Sequence, residues 1–142
     1  VRITADTNVL VRFVVADDPG QASAAAALLD RAEAVVLTVP VLCELTWVLR
    51  SVYGIARTDI ADTVAALIDT ATAVVRDRAA VEAGIRALRE GDDFADAAIA
   101  MLGAGDGATL FASFDRRAVA LASRLGLDAA APDTIVGRGE AR

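Results

Sequence analysis

Asp92-Asp93-Phe94-Ala95-Asp96 puts three carboxylates into five positions and then runs into the apolar Ala97-Ala98-Ile99-Ala100. Read as a helix start, the stretch places Asp93 and Asp96 on one face within the first turn. Two chemistries fit. Acidic side chains at a helix N-terminus are favoured by exposed N–H groups and the helix dipole, which accounts for one or two Asp. A third crowds like charge onto one turn. A hard cation such as Mg2+ or Mn2+, which takes oxygen ligands, would offset that charge. On this stretch alone the two readings are balanced.

The chain has no Lys and no His, and all 14 of its basic residues are Arg. A histidine base, a catalytic lysine and a His-rich zinc site are therefore excluded. Acid–base work falls to carboxylates or to metal-activated water. The formal net charge of −6 argues against a passive nucleic-acid binder, though not against a nuclease whose cations neutralise its site. Cys43 is the single cysteine, so no internal disulfide forms. Its apolar neighbours predict an ordinary buried thiol, and a reducing cytoplasm is the expected compartment. Asp6 interrupts the first apolar run, so no export signal is expected there. No charge-free run reaches transmembrane length.

The 142 residues predict one domain. Apolar runs predict strands at 1–5, 35–38, 73–75 and 109–112, with a short edge strand at 134–136. Helical spacing predicts a helix after Asp6, capped by Thr7 or Asn8, and others at 21–34 and from Pro40 to near Gly54. Further helices are expected at 57–70, with Thr58 and Asp59 as caps, from Asp77 to Gly91, after Asp93, and at 116–126. Residues 103–107 are glycine-rich and read as a loop that stops the Asp-rich helix. No glycine fingerprint follows the first strand, so a dinucleotide site is excluded. Alternating strand and helix means the α/β class, a parallel sheet flanked by helices. Ligands of such sheets bind beyond the carboxyl ends of the strands.

That topology gathers acids. Asp6 closes the first strand, Asp115 follows the fourth, and Glu44 lies just over one turn into the helix after the second. Asp93 and Asp96 join them if the preceding connection starts their helix on the same edge. Glu44 sits among Val41, Leu42, Leu45 and Val48, so its side chain is expected against apolar surface and in need of a partner such as a cation. Asp6 alternatively just ends a strand, and Asp115 just caps a helix. Asn8 and Ser113 read as turn and cap residues able to orient a carboxylate or a water. Trp47 and Tyr53 read as packing or subunit contacts ahead of a base-stacking platform.

Taken together, Asp6-Thr7-Asn8-Val9-Leu10, Glu44 within Val41-Leu42-Cys43-Glu44-Leu45-Thr46-Trp47-Val48-Leu49, Asp93-Phe94-Ala95-Asp96-Ala97 and Ser113-Phe114-Asp115-Arg116 resemble the signature positions of the PIN domain. The likeness is closest to VapC-type toxins of bacterial type II toxin–antitoxin systems, and it covers essentially the whole chain in the right order. The departures are the missing Lys and the acidic balance. Both bear on RNA docking more than on chemistry, and Arg12, Arg50, Arg57, Arg116 and Arg117 are the available phosphate contacts.

The resemblance implies a single PIN-like domain over 1–142, with a central parallel β-sheet of about four to five strands flanked by helices. It implies a cytoplasmic, Mg2+- or Mn2+-dependent ribonuclease that leaves 5′-phosphate and 3′-hydroxyl ends. Asp6, Glu44, Asp96 and Asp115 would be the main catalytic and metal-binding acids. Asp93 would be a further ligand or a support, and Asn8 and Ser113 would be supporting residues. The implied partners are an RNA substrate, a second copy in a homodimer and a cognate VapB-type antitoxin that covers the active-site groove, with no membrane. Apolar surface around Leu28, Leu29, Val48 and Tyr53 is available for such contacts. Two rival readings stay open. One is an aspartyl-phosphate phosphatase or phosphotransferase, which would want a second Asp where Asn8 stands and a later Lys. The other is a non-catalytic acidic α/β module that binds a protein or a cation.

Overall fold

A computed structural model describes residues 1–140. Those residues form five short strands and eight helices in alternation, in two compact units that divide after Arg78.

In the first unit, β1 (Arg2–Thr4), β2 (Ala34–Val36) and β3 (Ala73–Val74) form a parallel ladder in the order β1-β2-β3. Ile3 faces Val35 across the first pair, and Val36 faces Val74 across the second. The crossovers are helical: α1 (Thr7–Val15) and α2 (Pro19–Arg31), then α3 (Val39–Ser51) and α4 (Arg57–Ile68). Each helix starts where the sequence supplies a start. Pro19 and Pro40 occupy the first turns of α2 and α3, where a missing N–H costs nothing. Asp18 caps α2 by accepting from the Gln21 N–H at 3.0 Å. The core is aliphatic. Leu42, Leu45 and Leu49 share one face of α3 and are fully buried, as are Leu10 of α1 and Ile60 and Val64 of α4. Burying each such side chain stabilises the fold by roughly 1.5–3 kcal/mol.

The second unit begins with α5 (Arg78–Arg89), whose first residue lies at the boundary. It continues through α6 (Phe94–Gly105), β4 (Phe111–Ala112), α7 (Arg116–Arg124), β5 (Ala129–Ala130) and α8 (Pro132–Glu140). Strands β4 and β5 pair in parallel, with Phe111 opposite Ala129. Ala83 and Ala87 of α5, Ala97 of α6 and Leu121 of α7 make the core, with Met101 and Leu125 packed against it. Alanine at three of these four positions lets the helix backbones approach closely.

Five expectations are corrected. The five strands make a three-stranded and a two-stranded ladder, not one sheet of four to five strands. The segments are only two or three residues long, and in this Ala-rich chain helices take most of the residues. The last strand is Ala129–Ala130, not 134–136. Thr134, Ile135 and Val136 are β-branched, but Pro132 and Asp133 just before them favour a helix start, and α8 runs through all three. Residues 103–105 belong to α6, which ends only where Gly107 takes a left-handed φ of +99°. Finally, α1 is capped by Asp6, not by Thr7 or Asn8, and the N-cap residue of α4 is Ala56, which has no side-chain cap, not Thr58 or Asp59. No helix among the described residues is long and apolar enough to cross a membrane.

Candidate active site

In the first unit, Asp6 stands between β1 and α1, and its Oδ1 accepts from the Thr7 N–H at 2.8 Å. One of its oxygens thus closes the helix cap. Asn8 follows in the first turn of α1, exposed. Glu44 is also exposed, which corrects the expectation of an apolar surround. Leu42, Leu45 and Leu49 take the buried face of α3, and Glu44 falls on the outward face with Trp47. Its charge therefore stands in water without the desolvation cost that the sequence suggested. Cys43 beside it is half-buried, and burial pushes its thiol up, as for an ordinary packed cysteine.

In the second unit, Asp93 is the N-cap residue of α6 and Asp96 sits in that helix's first turn. Asp115 follows β4 after Ser113 and Phe114, and its Oδ1 caps α7 by accepting from the Arg117 N–H at 2.8 Å. Ser113 Oγ in turn accepts from the Asp115 N–H at 3.0 Å and pins the turn before α7. These elements bring Asp93 and Asp115 within electrostatic reach of Asp96. Asp96 registers it: its carboxyl titrates above the ordinary value, first because it is partly buried, then because of the charges of Asp93, Asp115 and Asp92.

Asp92, by contrast, is spoken for. Its side chain is only 12% exposed. Arg117 Nη2 donates to Asp92 Oδ1 at 3.3 Å and to the Gly91 carbonyl at 2.9 Å. Arg124 Nη2 donates to Asp92 Oδ2, and its Nε lies 3.6 Å from Glu90 Oε2. Two turns apart on α7, the two guanidiniums tie that helix to the loop before α6. No spacing in the sequence links residue 92 to residues 117 and 124, so this clamp was not legible there.

Gly84 was also missed. A methyl group on its Cα would stand 2.4 Å from the Phe94 ring. Phe94 is fully buried over this gap in α5 and fixes the start of α6 between Asp93 and Asp96. A lone glycine inside a helix of good helix formers was the available signal.

Arginine placement narrows the phosphate contacts. Arg117 serves Asp92, and Arg12 bonds Gln21 Oε1 at 2.7 Å and Asp17 Oδ1 at 2.8 Å. Tyr53 donates to Asp17 Oδ2 at 3.0 Å. The Tyr53 bond and then Arg12 hold the Asp17 carboxyl below its ordinary value. Arg57 is half-buried, whereas Arg50 and Arg116 are exposed.

Donor chemistry fits a hard divalent ion, since every candidate ligand is a carboxylate oxygen and negative field converges on Asp96. Among the described residues, no three His, Cys, Asp or Glu side chains stand close enough to enclose a metal. No curated protein matches the chain. The PIN domain model, however, matches residues 3–124, and the chain belongs to the PIN domain family.

Proposed function

We propose that the chain is a metal-dependent ribonuclease, the toxin of a VapC-type toxin–antitoxin pair, acting as a single domain in the cytoplasm. Family membership supports a nuclease. The observation that carries the reading is the placement of Asp93, Asp96 and Asp115 at the starts of α6 and α7, where partial burial and then the neighbouring charges push the Asp96 carboxyl up.

Asp96 and Asp115 are assigned as the main acids of the second unit and Asp6 and Glu44 as those of the first, with Asp93 as a further ligand or a support. When bound, Mg2+ or Mn2+ supplies Lewis-acid polarisation of the scissile phosphate and an acidified water. The chain's own residues do the rest. Asp6 and Asp115 each spend one oxygen on a helix cap, which fixes the carboxylate plane and leaves the other oxygen available. Ser113 holds the Asp115 turn, and Asn8 orients water. With no His or Lys in the chain, protons leave through carboxylates and solvent. A cognate antitoxin would silence the site by placing an Arg against these acids, a charge-assisted pair in place of the ion. Homodimerisation is part of the same reading.

The test is incubation of labelled total RNA with the purified chain in Mg2+ or Mn2+, against excess EDTA, with Asp96→Asn in parallel. Metal-dependent cuts with 5′-phosphate ends are expected. The variant should be slower by more than about a hundredfold, because losing even an outer partner of a metal ligand costs ~10–100-fold. Ion binding without cleavage would point to the non-catalytic acidic module.

A further inference from the structure

Within the second unit, the loop between α5 and α6 is held from both sides. On the α5 side the Asp92 N–H donates to the Ala87 carbonyl at 2.8 Å, and Gly91 takes a left-handed φ of +88°, an ending that satisfies the last carbonyls of a helix. On the α7 side Arg117 Nη2 donates to the Gly91 carbonyl and to Asp92 Oδ1, while Arg124 Nη2 donates to Asp92 Oδ2. Asp93, the N-cap residue of α6, follows Asp92 directly, and Asp96 lies in that helix's first turn.

Arg117 also acts at the start of α7. Its main-chain N–H donates to Asp115 Oδ1 at 2.8 Å. One residue thus holds Asp115 through its backbone and the approach to Asp93 and Asp96 through its side chain. The apolar contacts among these helices supply no such link. Ala83, Ala87 and Ala97 are short, so their packing with Leu121 brings the helices close but sets their register only loosely. Charge-assisted hydrogen bonds are directional, and the Asp92 side chain that receives them is nearly buried.

We propose that Arg117, through Asp92 and the Gly91 carbonyl, is a positioning residue that sets the spacing of Asp96 and Asp115 for a divalent cation. The inference rests on the nuclease reading and adds to it what holds the acids of α6 and α7 in place. It takes Arg117 out of the phosphate contacts expected from the sequence.

The sign of one effect separates positioning from charge. A guanidinium near a cation site repels the cation, so charge alone makes Arg117→Ala bind Mn2+ more tightly or, with screening by salt, equally well. Positioning makes it bind more weakly. The full chain and its variants are titrated with Mn2+ at pH 7, and the free ion is measured by its electron paramagnetic resonance signal. Arg117→Ala should raise the Kd about tenfold, the low end for loss of a residue that supports a metal ligand. Arg117→Lys keeps the charge and should recover part of the affinity. Asp92→Asn should weaken binding less in the Arg117→Ala background than in the native chain, because the two residues act as a pair. With an unstructured oligoribonucleotide and saturating Mn2+, Arg117→Ala should lower kcat more than it raises KM. Arg117→Gln keeps a side-chain N–H and carries the same sign test if the alanine variant does not fold. Unchanged or tighter Mn2+ binding would overturn the positioning role while metal-dependent cleavage by the native chain stands. So would a raised KM at unchanged Mn2+ affinity, which would make Arg117 a phosphate contact. A native chain that neither binds Mn2+ nor cuts RNA would remove the nuclease reading and this inference together.

Discussion

Asp92 and Asp96 stand four positions apart, and their charges act in opposite directions. Asp92 is neutralised by Arg117 and Arg124 and joins the loop before α6 to α7. Asp92→Ala should lower the Tm in calorimetry by an amount equivalent to about 1 kcal/mol, modest because both arginines are largely exposed. Asp96 is instead partly buried and faces like charges, and its carboxyl is pushed up. A group raised in the folded chain favours folding below its unfolded value of about 3.9 and loses that advantage as pH rises through the folded value. At neutral pH the ionised Asp96 therefore works against the fold, even though an acid in a first helical turn is otherwise favoured. Without divalent ions, Asp96→Asn should raise the Tm at pH 7 and leave it little changed near pH 3. An unchanged or lower Tm at pH 7 would mean that the crowding on Asp96 is not felt. The sequence showed three crowded carboxylates but not that one belongs to a clamp, because the arginines that settle it come from a distant helix.

The elements follow rules that the sequence displays, and they depart from expectation where two rules compete. Pro19 and Pro40 start helices as expected, whereas the β-branched run at 134–136 yields to Pro132 and Asp133 and becomes α8. Asp6 reads equally as a strand end and a site acid, and it is also the cap of α1. The contact that fixes α6 is the Phe94 ring over Gly84, which tertiary packing decides and local pattern does not. Alanine in place of Gly84 gains about 1 kcal/mol of helix propensity, but its methyl cannot share space with the ring. Overpacking of this kind costs roughly 1–3 kcal/mol or more, so Gly84→Ala should lower the Tm. Adding Phe94→Leu should recover part of the loss, as a double-mutant cycle would show. Simple additivity would contradict the contact.

For the molecule as a whole, the α/β alternation and the family were legible in the order of strands, helices and acids along the chain. The split of the strands into two ladders was not, because pairing among two- and three-residue strands is set by tertiary packing and not by local pattern. The exposure of Glu44 was misjudged for a related reason: apolar neighbours in sequence lie on the opposite face of the helix. A thermal-shift titration with Mg2+ and Mn2+ at pH 7 tests most directly the proposed binding of a cation by the carboxylates around Asp96. A ligand that binds the folded chain at about 100 times its Kd stabilises it by about 2.7 kcal/mol. The native chain should therefore show a saturable rise in Tm, and Asp96→Asn should show a much smaller one. No shift, or the same shift in both proteins, would contradict the account.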